Sequence, residues 1–167
     1  MHNGLVREFA SLRRDLLLAI EPSLIPAIEG STDSELLFHL ALTFGLETDP
    51  VEALERMAGF VESVGERHGV GQPLQMTVAA SDGERIVAAR YSSERRSRSL
   101  FVSTGVHRLK DLHPHAEETR VFGKEARAVV SEPLDALPAG WVPVPDSHVV
   151  VVGPGEDELL PFTPRPA

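Results

Sequence analysis

The chain has 167 residues, 42% of them hydrophobic and 25% charged, enough for one domain that buries roughly 68–70% of its unfolded surface. The 16 Lys and Arg stand against 25 Asp and Glu, and the resulting net charge of −9 repels phosphate backbones, so no nucleic-acid partner is expected. No run approaches the roughly 18–20 apolar residues of a membrane span and no leader-like pattern opens the chain, so a cytoplasmic location and no membrane partner are expected. There is no cysteine, which excludes disulfides, thiolate metal sites and a cysteine nucleophile within these residues.

Leu5, Phe9, Leu12, Leu16 and Ile20 recur at spacings of three and four, predicting a core-facing helix over 5–20 that Pro22 ends. After the bend Glu29-Gly30-Ser31, the pattern Thr32-x-x-Glu35 has the form of a capping box. The helix it opens carries Leu36, Leu37, Leu40, Ala41 and Phe44 and stops at Gly45. Asp49-Pro50 supplies an N-cap and a first-turn proline for a third helix through Val51, Leu54, Met57, Ala58, Val61 and Val64, ending near Gly69.

Beyond Gly71 the period becomes extended. Residues 74–80 and 85–91 read as a hairpin around Asp82-Gly83, and 98–104, 126–131 and 148–152 as further strands, the valine run of the last suggesting burial on both faces. Helices first and an antiparallel sheet afterwards predict an α+β layered domain over 1–152. Four prolines and two glycines among residues 153–167 predict a loose surface tail.

Two segments carry candidate chemistry. In His2-Asn3-Gly4 a side-chain amide stands beside a residue whose bare backbone can approach a ligand, a pair of donors suited to an oxyanion. In Gly30-Ser31-Thr32-Asp33-Ser34-Glu35 a carboxylate in the first helical turn is placed to accept from a substrate ammonium. Each also has an ordinary reading, a turn for Asn-Gly and a capped helix for Thr-Asp-Ser-Glu. His107, His113, His115, Glu117 and Glu118 offer zinc-type ligands, but Pro114 marks a loop and no third anchor is evident, so no metal is expected. Arg90, Arg95, Arg96 and Arg98 read as a solvated hairpin region in which Arg90, within its strand, could hold an anion or a carboxylate.

His2-Asn3-Gly4, a helix, and then Gly30-x-Thr32-Asp33-Ser34-Glu35 resemble the middle of a class II glutamine amidotransferase domain, the N-terminal-nucleophile type. Ala89-Arg90-Tyr91, residues 99–103 and 130–135, and Trp141 resemble its stand-alone bacterial subfamily, which includes ergothioneine-pathway γ-glutamyl amidohydrolases. The resemblance implies a layered N-terminal-nucleophile hydrolase fold, no cofactor, and glutamine or a γ-glutamyl small molecule as substrate. It implies that Asn3 and Gly4 form the oxyanion hole, that Gly4 and Asp33 bind substrate, Asp33 at its α-amino group, and that Glu35 is a structural cap.

The family's nucleophile is an N-terminal cysteine whose own amine is the base, and an arginine from the same region holds the substrate carboxylate; neither has a counterpart here. Ser11 and Ser31 carry no free α-amine and cannot replace it. The resemblance therefore implies a C-terminal portion of a longer protein, inactive alone, with open sheet edges that invite self-association. The other reading is a non-catalytic domain of this fold that binds a small amino-acid-like ligand through Asp33 or serves as an interaction module.

Overall fold

The computed structural model describes residues 1–103, 126–133 and 140–166. The chain is α+β, as the sequence predicts, with three α-helices and eight strands among these residues. A five-stranded sheet has the order β1 (His2–Val6), β2 (Leu74–Ser81), β3 (Ile86–Ser92), β7 (His148–Val152) and β8 (Glu158–Pro161), every neighbouring pair antiparallel. A smaller sheet places β4 (Phe101–Ser103) between β5 (Val129–Val130) and β6 (Trp141–Pro143).

The helices α1 (Phe9–Leu18), α2 (Asp33–Thr43) and α3 (Pro50–Arg67) form the layer over one face of the large sheet. Leu12 and Leu16 of α1, Leu36 and Leu40 of α2, and Met57, Val61 and Val64 of α3 are fully buried against Leu74 and Met76 of β2 and Val149 of β7. The helical periodicity locates this face because each run repeats on one side of its helix. Ala88, Val150 and Val152 leave the other face of the sheet and pack with Leu100, Val102 and Val144. Strand β7 is thus covered on both sides, which its unbroken valines require. Asp49 caps α3 by accepting from the Glu52 N–H at 3.0 Å, and Gly83, at φ +95°, makes the β2–β3 turn. Among the described residues no helix is long and apolar enough to cross a membrane.

Three expectations change. The helix predicted over 5–20 begins only at Phe9: residues 2–6 are a strand, and Glu8, at φ 50°, breaks the path into the helix. Leu5 lies four residues before Phe9 and mimics the helical period, but it sits on β1 and is 40% exposed. The strand readings over 98–104 and 126–131 shorten to Phe101–Ser103 and Val129–Val130, with part of the first lying outside the described residues.

The segment after 152, expected to be loose, supplies β8 and then crosses α3. Phe162 is buried against Tyr91, the Thr163 N–H donates to Glu55 Oε1 at 2.9 Å, and Arg165 Nε stands 2.6 Å from Glu55 Oε2. Glu55 is a buried carboxylate, and such a charge is retained only when paired and hydrogen-bonded. Gly59 completes the crossing, because a Cβ there would overlap the Arg165 backbone carbonyl. Gly59→Ala is expected to cost about 1–3 kcal/mol through this overpacking. Hydrogen exchange should show the Thr163 and Arg165 amides losing protection while β2 and β3 keep theirs; unchanged protection at those two amides would contradict the crossing.

Candidate functional site

The register of β1 against β2 decides which way each backbone group points. The Arg7 N–H donates to the Pro73 carbonyl at 2.7 Å, the Ala79 N–H to the Met1 carbonyl at 2.9 Å, and Asn3 and Leu5 lie opposite Thr77 and Gln75. In an antiparallel pair hydrogen-bonded residues alternate, so Asn3 and Leu5 bond to β2 while the N–H and C=O of His2, Gly4 and Val6 turn to the outer edge. Val6 confirms this, for its N–H leaves the sheet and donates to Asp33 Oδ2 at 2.8 Å.

Asp33 therefore sits at the same strand edge as the Gly4 N–H, two residues or about 6.6–6.8 Å along β1. Its other oxygen, Oδ1, accepts from the Ser34 N–H at 2.7 Å and from Ser34 Oγ at 3.3 Å. An ionised carboxylate has about four acceptor positions, so capacity remains for an incoming ammonium. The structure thus brings together two of the residues singled out in the sequence, Gly4 and Asp33. Asn3 shares the strand, but its side chain leaves from the face opposite His2, where strand alternation places it beside Thr77. That amide takes no hydrogen bond among the described residues and is available to a ligand.

Gly4 has a structural reason as well. A Cβ there would overlap the Gln75 carbonyl oxygen and stand 2.7 Å from His2 Nε2. Only glycine lets β1 lie this close to β2 while the imidazole packs over it.

His2, part of the sequence motif but given no role there, links the two segments. Its Nδ1 lies 2.7 Å from Ser34 Oγ, and its Nε2 is buried without a hydrogen-bond partner. Burial holds the His2 pKa below the ordinary 6.5, an effect opposed by the nearby Asp33 carboxylate and the Gln75 backbone. A cavity of about 430 Å³ opens beside the pair, walled by Phe38, Met57 and Val78.

Thr32 accepts from the Glu35 N–H at 3.3 Å, the expected half of a capping box. The other half differs, because the Glu35 carboxylate reaches the preceding loop instead, accepting from the Glu29 and Gly30 N–H groups at 2.8 and 2.7 Å. Glu35 is thus structural, and it fixes the loop from which α2 starts. Arg90 is spent within the fold: Nη1 donates to the Val144 carbonyl at 2.7 Å and Nε to Ser97 Oγ at 2.9 Å, so it joins the segments on the second face of the sheet. Arg98 donates to Gln75. His107, His113, His115, Glu117 and Glu118, and with them the metal question they raised, lie outside the described residues.

Two outcomes follow from this geometry. Gly4→Ala should cost about 1–3 kcal/mol, read as a lower midpoint in urea, because β1 must move off β2. For His2 the unfolded chain binds the proton more readily than the folded one, so its contribution to stability is complete above pH 6.5 and declines as pH falls through that value. Replacing it in His2→Asn should flatten the stability profile below pH 6.5; a profile identical to that of the unsubstituted chain would contradict the assignment.

No family model matches the sequence. Over 173 aligned positions the chain is 24% identical to a probable glutamine amidotransferase, DUG3, of Saccharomyces cerevisiae, an alignment covering 91% of this chain. The chain spans 48%, about half, of that relative's length. The structure of a glutamine aminotransferase class-II domain protein from Silicibacter pomeroyi matches over 99% of this chain and 67% of its own, with a TM-score of 0.81 and 32% identity. Likeness of fold and of sequence over nearly every residue agrees with the motifs on β1 and α2: the chain belongs to the class II glutamine amidotransferase family.

Proposed function

We propose that this chain is the portion of a glutamine amidotransferase or γ-glutamyl amide hydrolase that binds the substrate's amine and stabilises the oxyanion, while the nucleophile comes from polypeptide beyond these residues. The observation that carries the reading is the Val6 to Asp33 bond, which sets a carboxylate on the strand edge where the Gly4 N–H is exposed. A γ-glutamyl amide has an α-ammonium at one end and the scissile carbonyl at the other, and the edge offers an acceptor for the first and a donor for the second.

In this reading a cysteine thiolate attacks the amide carbonyl and the carbonyl oxygen becomes an oxyanion. The Gly4 N–H and the Asn3 side-chain amide donate to it. The amide nitrogen leaves protonated, as ammonia when the substrate is glutamine, and water then resolves the thioester to the free γ-carboxylate. Asp33 fixes the α-ammonium and takes no part in the bond changes. Its place at the start of α2 suits this, since the helix dipole favours a carboxylate there by about 0.3–1 kcal/mol.

The second reading, a domain that binds such a ligand without reacting, is favoured by one fact: the sequence contains no cysteine. Both readings require the edge to hold a γ-glutamyl ligand, and calorimetry with L-glutamine tests that requirement. Binding is expected for the chain as it stands and should weaken by about tenfold or more in Asp33→Asn, which removes the charge. Equal affinity in Asp33→Asn would remove Asp33 from the site.

A further inference from the structure

We infer that His2 is a positioning residue for the oxyanion side of the site, holding the Gly4 N–H in line with Asp33 through Ser34. This rests on the reading of the outer edge of β1 as the substrate site. The polar contacts close a ring. Asp33 Oδ2 takes the Val6 N–H at 2.8 Å, Asp33 Oδ1 takes Ser34 Oγ at 3.3 Å, and Ser34 Oγ meets His2 Nδ1 at 2.7 Å. From His2 the ring returns along β1 to Val6, so the first turn of α2 grips the strand on both sides of Gly4.

Ser34 Oγ and His2 Nδ1 share one proton across the 2.7 Å contact, and a hydroxyl can serve as donor or acceptor there, so either tautomer of the ring keeps the link. Nε2 is buried against Gly4 on the side of the Gln75 carbonyl, where a Cβ on Gly4 would stand only 2.7 Å away. An imidazole buried in this way is a rigid spacer. It fixes the height of Gly4 relative to α2 without placing a positive charge that would compete with the substrate ammonium for Asp33.

A side chain that only filled space could be replaced by any residue of similar size. One that aligns the edge needs its bond to Ser34, and Asn can keep that bond through its amide while Ala cannot. The experiment is a titration of the isotope-labelled chain with L-glutamate, following the Gly4 and Val6 amide resonances, in the unsubstituted chain, His2→Ala, His2→Asn and Ser34→Ala. In His2→Ala and Ser34→Ala both resonances should move before any ligand is added. L-Glutamate should then bind about tenfold more weakly, the effect of losing one well-made hydrogen bond. His2→Asn should bring affinity back to within about threefold and return both resonances toward their original positions.

If the unsubstituted chain binds L-glutamate and His2→Ala binds it equally well with both amides unmoved, the positioning role is wrong and the site reading stands. If the unsubstituted chain does not bind L-glutamate, the site reading falls, and the ligand-free spectra decide the positioning role. Shifts in His2→Ala that His2→Asn reverses support it, and unmoved amides overturn it.

Discussion

Everything distinctive about this molecule's candidate site depends on one carboxylate, Asp33, whose Oδ2 receives the Val6 N–H from the edge of a sheet and whose Oδ1 receives the Ser34 N–H from its own helix. Hydrogen bonds to an ionised group contribute about 1.5–3 kcal/mol each, a sizeable part of the roughly 5–15 kcal/mol that holds a domain together. The bond to Val6 is also one of two polar contacts that join α2 to β1, the other being His2 to Ser34. Apart from it and the His2–Ser34 contact, the helix rests on the core through apolar side chains such as Leu36 and Leu40, contacts that specify depth more than direction. The carboxylate supplies the direction, and the β1–β2 register puts the backbone donor of Gly4 on the same edge, two residues from it.

The layers around this edge play different parts. The helix face is a continuous apolar core in which α1, α2 and α3 meet β2, β3 and β7, and it makes the platform rigid. The opposite face is divided, with Ala88, Val150 and Val152 under the small sheet and the β1 side carrying Asn3 beside Thr77 and Gln75. Asn3 thus looks away from the helices while Gly4 looks outward and His2 looks toward α2. One short strand presents three different chemistries in three directions, because its side chains alternate between the two faces and its outer edge leaves a backbone N–H free. At the other end of the sheet, β8 and the crossing over Glu55 and Gly59 bind the end of the chain to α3.

Much of this was legible in the residues because it is local. The apolar spacing of α2 and α3, the Asp49-Pro50 start, the Asp-Gly turn and the buried valines of β7 are all set by neighbours in sequence, and the structure follows them. What was not legible depends on pairings between distant segments. Strand β1 exists because it pairs with β2 more than sixty residues later, and nothing in Leu5 or Phe9 announces that. Strand β8 was hidden by the prolines and glycines of the segment around it, although Phe162 and the complementary charges Glu55 and Arg165 were signals of a docked segment. At the candidate site, Asn3, Gly4 and Asp33 stood out through the family resemblance that their motifs carry. His2 and Ser34 were printed beside them but gained a role only when the fold set Nδ1 against Oγ.

The central claim is that these residues hold the oxyanion donors and the amine acceptor of a class II glutaminase but not its nucleophile. The most direct measurement is ammonia release from L-glutamine by this chain alone and by the chain joined to the part of the Silicibacter pomeroyi class-II domain protein that lies outside the match. The account predicts none from the chain alone and turnover from the joined protein that falls by about 10²–10³ in Asn3→Ala. Ammonia release by the chain alone, or turnover in the joined protein indifferent to Asn3→Ala, would contradict it.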